Sequence, residues 1–316
     1  MKKYIYLLIL AALTLVSCQQ DKLSETSVIK DSTVEMNDFD YWLEANFLRP
    51  YNIEFKYRFA LNESDKGFWN VPAEIEASII YAHLVKYLCV DTYDEISGID
   101  FTRAYFPKMF FLIGTFEYRN NGTFVLGTAE AGKKIMLSGV NDLPLYFEAV
   151  ENGRITKDEL AQAISEYYIK TIHHEFTHIL NQTKTYPETF GTITSTTYVG
   201  DACFSTDNYW RGRGYITAYA QSEHREDFAE LVSEYITHDA AWWEETLKAA
   251  HDETATVRKT NPDAPYGDEI LQSKMDIVIA YLQDSWGISL DELRDILLRR
   301  FNDVANGRVD LNTVEL

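Results

Sequence analysis

From Lys157 to Tyr186 the chain contains neither glycine nor proline. The stretch opens on "TKDE", Thr156 to Glu159, a capping box that starts a helix. With no breaker inside it, "ELAQAISEYYIKTIHHEFTHIL" reads as one long helix, around which the rest of the fold has to pack. In its second half stands "IKTIHHEFTHILNQ", residues 169–182, with three histidines and a glutamate inside six positions.

His174 and His178 are four apart. Four residues advance a helix by about 400° and roughly one turn, so both rings lie on one face. Two imidazoles at that spacing can share one zinc ion. Glu175 points beside that face, where it reaches the metal's water rather than the metal. This is His-Glu-x-x-His with the glutamate as general base. A core helix that merely contained histidines would have to find partners for three polar groups in an apolar setting, at considerable cost. His173 sits about 100° round from His174 and is expected to make a structural hydrogen bond instead.

A catalytic zinc needs a third protein ligand and an open fourth position. An extended motif ending in Gly-x-x-His fails, because its positions hold Asn181 and Lys184. The best source is "AYAQSEHREDFAELVSEYI", 218–236, read as a second helix beginning near Ser222. Glu226 and Glu230 are four apart on it. One of them can bind zinc, and the other can accept a hydrogen bond from the far nitrogen of a liganding histidine. Phe228, Ala229, Leu231 and Val232 crowd the same turns, so this helix is expected to be mostly buried. His224 falls about 200° from Glu226 and is expected to be exposed. His83, His238 and His251 show no partner spacing, and the pair Trp242–Trp243 is expected to pack.

Elsewhere the chain divides into halves, 38–150 mixed and 151–316 mainly helical. Residues 72–90 have helical apolar spacing, with Pro72 placed to start the helix. Residues 108–118 and 123–140 are rich in β-branched and aromatic residues and flank the turn signal "RNNG", 119–122, which predicts antiparallel strands. Helices are expected at 268–285 and at 290–305, the latter capped by Ser289 with Glu292. The long Thr-, Tyr- and Gly-rich connection 183–220 is of a kind that often shapes a cleft.

The chain opens "MKKYIYLLILAALTLVSCQQ". Two lysines and a short apolar run ending at a small residue read as an export signal, 1–17, rather than a membrane span. "LVSC" resembles the lipobox of bacterial lipoproteins, which makes Cys18 the lipidated residue, anchored without spanning. Residues 18–37 are polar and read as a flexible tether; the remaining 38–316 form the folded domain. Formal net charge is −20, and removing the signal with its two lysines and no acids takes it to −22. Such a surface repels phosphate backbones and argues against nucleic acid as a partner. Hydrophobic residues at 46% and aromatics at 14% give enough material for a packed core. Beyond Cys18 there are only Cys89 and Cys203, either a pair in an oxidising compartment or two buried thiols.

His-Glu-x-x-His followed by a helix bearing "EDFAE" resembles the gluzincin metallopeptidases, in particular the anthrax lethal factor type. That resemblance implies Glu226 as third zinc ligand, Glu230 as the support of a histidine ligand, and Tyr219, seven residues before Glu226, as an oxyanion-assisting tyrosine. Over nearly the whole mature chain, "FPK…FLIG…NGTFVLGTAEAGKKIMLSGVN…TIHHEFTHILNQ…GYITAYAQSEHREDFAELVSEYI" is similar to the substrate import-associated zinc metallohydrolase lipoproteins of Bacteroides-type bacteria. The resemblance implies an α+β, zincin-like metallopeptidase fold with a small antiparallel sheet and a mainly helical C-terminal half. It implies one Zn2+ per chain, peptide-bond hydrolysis and association with an outer-membrane TonB-dependent importer of the SusC/SusD kind. The localisation implied is the cell envelope, with lipid anchorage in the outer membrane. In gluzincin folds an antiparallel edge strand pairs with extended substrate. Here the candidate is the stretch from Leu126 through Gly127, Thr128 and Ala129 to Ala131, or else an ordinary interior strand. Two other functions fit the same residues: a non-catalytic accessory lipoprotein that keeps zinc for structure, and a zinc hydrolase of a non-peptide amide or ester. An intact Glu175 argues against the first, since a structural site needs no general base.

Overall fold

The structure is a computed structural model that describes residues 35–62, 67–118, 124–125, 127–130, 134–205 and 208–315. The expected signal 1–17, lipidated Cys18, most of the tether, the "RNNG" turn, Leu126 and Ala131 lie outside the described residues. Asn37–Leu316 forms one compact unit, and the fold is α+β, mainly helical in its second half.

Its first half holds α1 (Asp38–Leu43), the short β1 (Glu54–Lys56), then helices α2 (Ile75–Val85), α3 (Asp91–Ser97) and α4 (Ile99–Tyr105). Strands β2 (Met109–Leu112), β3 (Glu117–Tyr118), β4 (Phe124–Val125), β5 (Gly127–Glu130) and β6 (Lys134–Leu137) follow. Pro72 does not start α2. It bridges to Ile113, and the helix begins after Glu74.

Strand direction corrects the sequence expectation. The four-stranded sheet runs β1-β2-β6-β5, with β1–β2 and β2–β6 parallel and only β5–β6 antiparallel. The physical reason is the return path. The helices between β1 and β2, and the β3–β4 hairpin with β5 between β2 and β6, each carry the chain back to the end where it started, which parallel pairing requires. The antiparallel expectation holds locally, since Glu117 pairs Val125 and Tyr118 pairs Phe124 across the "RNNG" segment. Strand residues Phe110, Leu112, Ile135 and Leu137 are fully buried, as befits a sheet covered by helices.

The second half comprises α5 (Leu143–Glu151), α6 (Lys157–Ile164), α7 (Lys170–Thr183), α8 (His224–Thr237), α9 (Ala240–Val257), α10 (Gly267–Tyr281) and α11 (Leu290–Ala305). Thr156 caps α6 through the expected box, and Ser289 caps α11 by accepting from the Glu292 amide. The unbroken run is a single helical rod, with one π-helical turn at Ser165–Ile169 joining α6 to α7. Such a turn leaves a carbonyl poorly served by the helix ladder. The carbonyl of Tyr168 is taken instead by the Tyr81 hydroxyl, at 2.8 Å. The opposite face of α7 is core. Ile172, Phe176 and Leu180 recur every four residues and are buried. Phe176 meets the rings of Tyr93 and Phe106 at 4.7 and 4.9 Å, so Phe176→Ala would cost about 3–5 kcal/mol and loosen the helix that carries His174 and His178.

Candidate metal centre

α7 presents His174 and His178 on one face, and α8 packs against it with Glu226 in its own first turn. A carboxylate there is favoured by the positive end of the helix. Nε2 of His174 lies 3.1 Å from Nε2 of His178, and Oε2 of Glu226 lies 3.0 Å from the first and 3.2 Å from the second. These atoms converge on a single point. Three ligands of a tetrahedral zinc, each about 2.0–2.1 Å from the ion, stand about 3.3 Å apart, so the residues present fit the metal.

The other side of the His174 ring supports that fit. Its Nδ1 lies 2.8 Å from Oε1 of Glu230, a close approach off the best hydrogen-bond line. The carboxylate favours the proton on Nδ1 and leaves the Nε2 lone pair facing inward. An inward lone pair, a second imidazole nitrogen and a carboxylate oxygen within 3.2 Å of one another repel unless a cation joins them. Without metal, a proton serves. Burial alone would lower His174, but Glu226 and Glu230 outweigh it and hold the ring up at about 10. For Glu226, burial works upward and loses to the two imidazoles, which pull its carboxyl well below the usual range.

Glu175 is half-buried. Burial raises its carboxyl, as do Glu226 and Glu230, against the pull of His174 and His178. A raised carboxylate is a stronger base nearer neutral pH. Tyr219 stands on a short 3-10 turn, Tyr219–Gln221, with its ring centroid 6.1 Å from that of His174. Burial, then the neighbouring Glu226 carboxylate, pushes its hydroxyl up, so it stays a donor. The structure thus gathers His174, Glu175, His178, Tyr219, Glu226 and Glu230 in one place.

Gly127, Thr128 and Ala129 lie in β5, the terminal strand of the sheet, which runs antiparallel to β6 and packs beside α7. His173 points the other way. Its Nδ1 hydrogen-bonds with the Tyr93 hydroxyl at 3.1 Å, its Nε2 stands 3.8 Å from the Cys89 sulfur, and burial lowers its pKa to about 3. Cys89 and Cys203 are both buried thiols, not joined in a disulfide.

Several residues that hold the site carry no motif. The Thr217 hydroxyl donates to Glu230 at 2.7 Å and accepts from the Ala220 amide at 3.1 Å, pinning the turn of Tyr219 to the support of His174. Phe204 stacks on Tyr219 with centroids 5.8 Å apart and planes within 7°. Asp227, next to Glu226, is locked by a fully buried ion pair to Lys274 at 2.6 Å and by the Tyr198 hydroxyl at 2.8 Å. Lys170 pairs with Glu234 at 2.6 Å. The signal for that pair was available, since Lys170 lies four before His174 and Glu234 four after Glu230. His238, which shows no partner spacing in the sequence reading, lies 3.4 Å from Glu234 and stacks on Trp242 at 4.0 Å.

No curated protein matches the chain. A crystal structure described as a "putative zinc-binding metallo-peptidase" from Bacteroides caccae is 34% identical to it, with a TM-score of 0.69, and the match covers 92% of this chain and all of that one. The family model described as "Putative zinc-binding metallo-peptidase" matches residues 32–291. That span is most of the chain, and the chain belongs to this family of zinc-binding metallo-peptidases.

Proposed function

We propose that this protein is a zinc-dependent metallopeptidase that hydrolyses peptide bonds, with one zinc held by His174, His178 and Glu226. The observation that carries this reading is the convergence of two imidazole nitrogens and one carboxylate oxygen within 3.2 Å, beside a carboxylate not used as a ligand. Bound there, zinc supplies a Lewis acid for the scissile carbonyl and makes water acidic enough to react near neutral pH. Glu175 takes the proton from the attacking water on its carboxylate and returns it to the leaving amine. The Tyr219 hydroxyl donates to the carbonyl oxygen as negative charge develops on it, worth about 3 kcal/mol when well placed. Glu230 holds the Nδ1 proton of His174 and so keeps Nε2 directed inward. The outer side of β5, the terminal strand of the sheet among the described residues, offers main-chain groups at Gly127, Thr128 and Ala129 to an extended peptide, which suits a broad sequence preference.

The wider setting belongs to the same proposal. Cys18 carries the lipid, the enzyme is held at the outer membrane, and it serves a TonB-dependent nutrient importer of the SusC/SusD kind. The lipobox-like "LVSC" and the resemblance to import-associated lipoproteins support it. The test of function is a mixed peptide library, incubated with zinc-loaded protein and read by mass spectrometry. Wild type should release fragments and Glu175→Gln should release none. A wild type that binds zinc and leaves all peptides intact would move the reading to an accessory role, or to hydrolysis of a non-peptide amide or ester.

A further inference from the structure

Glu230 is not the last link in the contacts that hold the metal residues. On the α7 side, Glu166, Lys170, His174 and His178 recur every four residues; on α8, Glu226, Glu230 and Glu234 do the same, with His238 next. The helices run antiparallel, since His174 meets Glu226 and Glu230 while Lys170 meets Glu234. At the end away from Glu226 this double ladder opens into a cavity of about 600 Å3. Glu166, Lys170, Glu234 and His238 line it, while His174, His178 and Glu226 do not.

Its walls have a consistent chemistry. Ile216, Leu298 and Phe301 supply apolar surface, and the indoles of Trp210 and Trp242 supply aromatic surface. Four acids line it, against two permanent cations. Both cations are already engaged, Lys170 with Glu234 and Arg211 with Glu253 at 3.3 Å. Lys157, near the rim, is turned onto Asn306 at 3.1 Å. Asp158, Glu166 and Asp239 are all exposed at the mouth, Glu166 also acting on the Lys170 charge one helical turn away. Asp239 also caps α9, and Asp158 lies in the first turn of α6, where a helix end offsets part of the charge.

We propose that this cavity is a second binding site, for an organic cation carried on an apolar stem: an alkylguanidinium or alkylammonium of the kind an arginine or lysine side chain presents. The acidic mouth attracts the charge. Indole surface suits a cation, and the apolar wall buries the stem. The volume falls in the range of small-ligand sites. Two sources share this chemistry, a free amine and a basic residue within a peptide. Lys170, one turn from His174, and Thr217, which donates to Glu230, both stand in the wall, so an occupant touches the residues that hold the metal centre in place. The site does not depend on the peptidase reading, because binding is measured without any cleavage.

The test is calorimetric titration of the full chain with agmatine and with a blocked pentapeptide, Ala-Ala-Arg-Ala-Ala. The controls are the citrulline pentapeptide and neutral butylurea. Each cation should bind about tenfold or more tighter than its neutral counterpart, and the charge reversal Glu166→Lys should weaken it by about tenfold. Glu166 is exposed, and circular dichroism checks that this variant keeps the fold. Trp242→Leu, checked by circular dichroism, should weaken binding as well. Agmatine binding as tightly as the peptide identifies a free amine as the source. Tighter peptide binding identifies a basic residue in a chain. Equal binding of neutral and cationic probes, or binding that ignores Glu166→Lys, overturns the proposal.

Discussion

Glu230 and Glu226 grip opposite ends of one imidazole: Oε1 of Glu230 stands 2.8 Å from Nδ1 of His174, and Oε2 of Glu226 stands 3.0 Å from its Nε2. The two glutamates are therefore placed for different work, although they are four apart on the same helix. In the proposed chemistry Glu226 meets the metal, and Glu230 sets which nitrogen of His174 is free to do so. Glu230→Gln should leave the fold intact and weaken zinc binding about 10- to 100-fold, as loss of such a support usually does. Isothermal titration with zinc measures it. Unchanged affinity would remove Glu230 from the centre.

The Tyr219 hydroxyl neighbours the Glu226 carboxylate, and its own task in the proposed chemistry is to donate to the developing oxyanion. Tyr219→Phe should keep zinc and the stacking on Phe204 while lowering kcat by about a hundredfold. Steady-state kinetics on any peptide the library identifies will measure this. A fall in zinc content instead of kcat would make Tyr219 a structural neighbour of Glu226.

His173 writes a pH signature into stability. Folded, its buried ring protonates only near about 3, against the ordinary 6.5 of an unfolded chain. Between those values the unfolded state binds the extra proton. The contribution of the neutral ring is whole above 6.5 and is lost as pH falls toward 3, at up to about 1.4 kcal/mol per pH unit. His173→Gln should be less stable at pH 7 yet lose less on acidification to pH 5. Denaturant unfolding of both metal-free proteins at several pH values checks this, since all other groups are shared. Parallel curves would contradict it.

The first turn of α8 depends on a buried charge. Lys274→Met leaves the Asp227 carboxylate buried without its cation and should cost about 3–5 kcal/mol. The double change Asp227→Leu with Lys274→Met removes both charges and should recover much of that loss. Thermal unfolding of the three proteins gives the answer. A double variant no better than the single would place the cost in packing.

The candidate metal centre is legible as a cluster because its residues sit at helical intervals. His174, His178, Glu226 and Glu230 are each four from a partner, and that spacing survives whatever surrounds it. What failed was information the local pattern does not carry. Strand direction depends on where the chain returns, so "KMFFLIG" could not announce that Met109–Leu112 pairs in parallel with Lys134–Leu137. The helix Ala240–Val257 buries fully only Thr246, Ala250 and Thr254, too small and polar a set to mark a helical period in the sequence, and its inner face is defined by packing on α10. Thr217 and Phe204 lie in the irregular 183–220 segment, where no period marks a residue. The cavity below Lys170 is shaped by parts of the chain as distant as Asp158 and Asn306, and it becomes visible only when they meet.

In the proposed chemistry His174, His178 and Glu226 hold one zinc, and the adjacent Glu175 does not. The most direct measurement is equilibrium zinc affinity by competition with a chelator, for wild type, His178→Ala, Glu226→Ala and Glu175→Gln. The prediction is one zinc per chain, a loss of about a hundredfold or more on removing His178 or Glu226, and affinity within a few-fold of wild type for Glu175→Gln. Wild-type affinity in Glu226→Ala, or loss of zinc in Glu175→Gln, would contradict it.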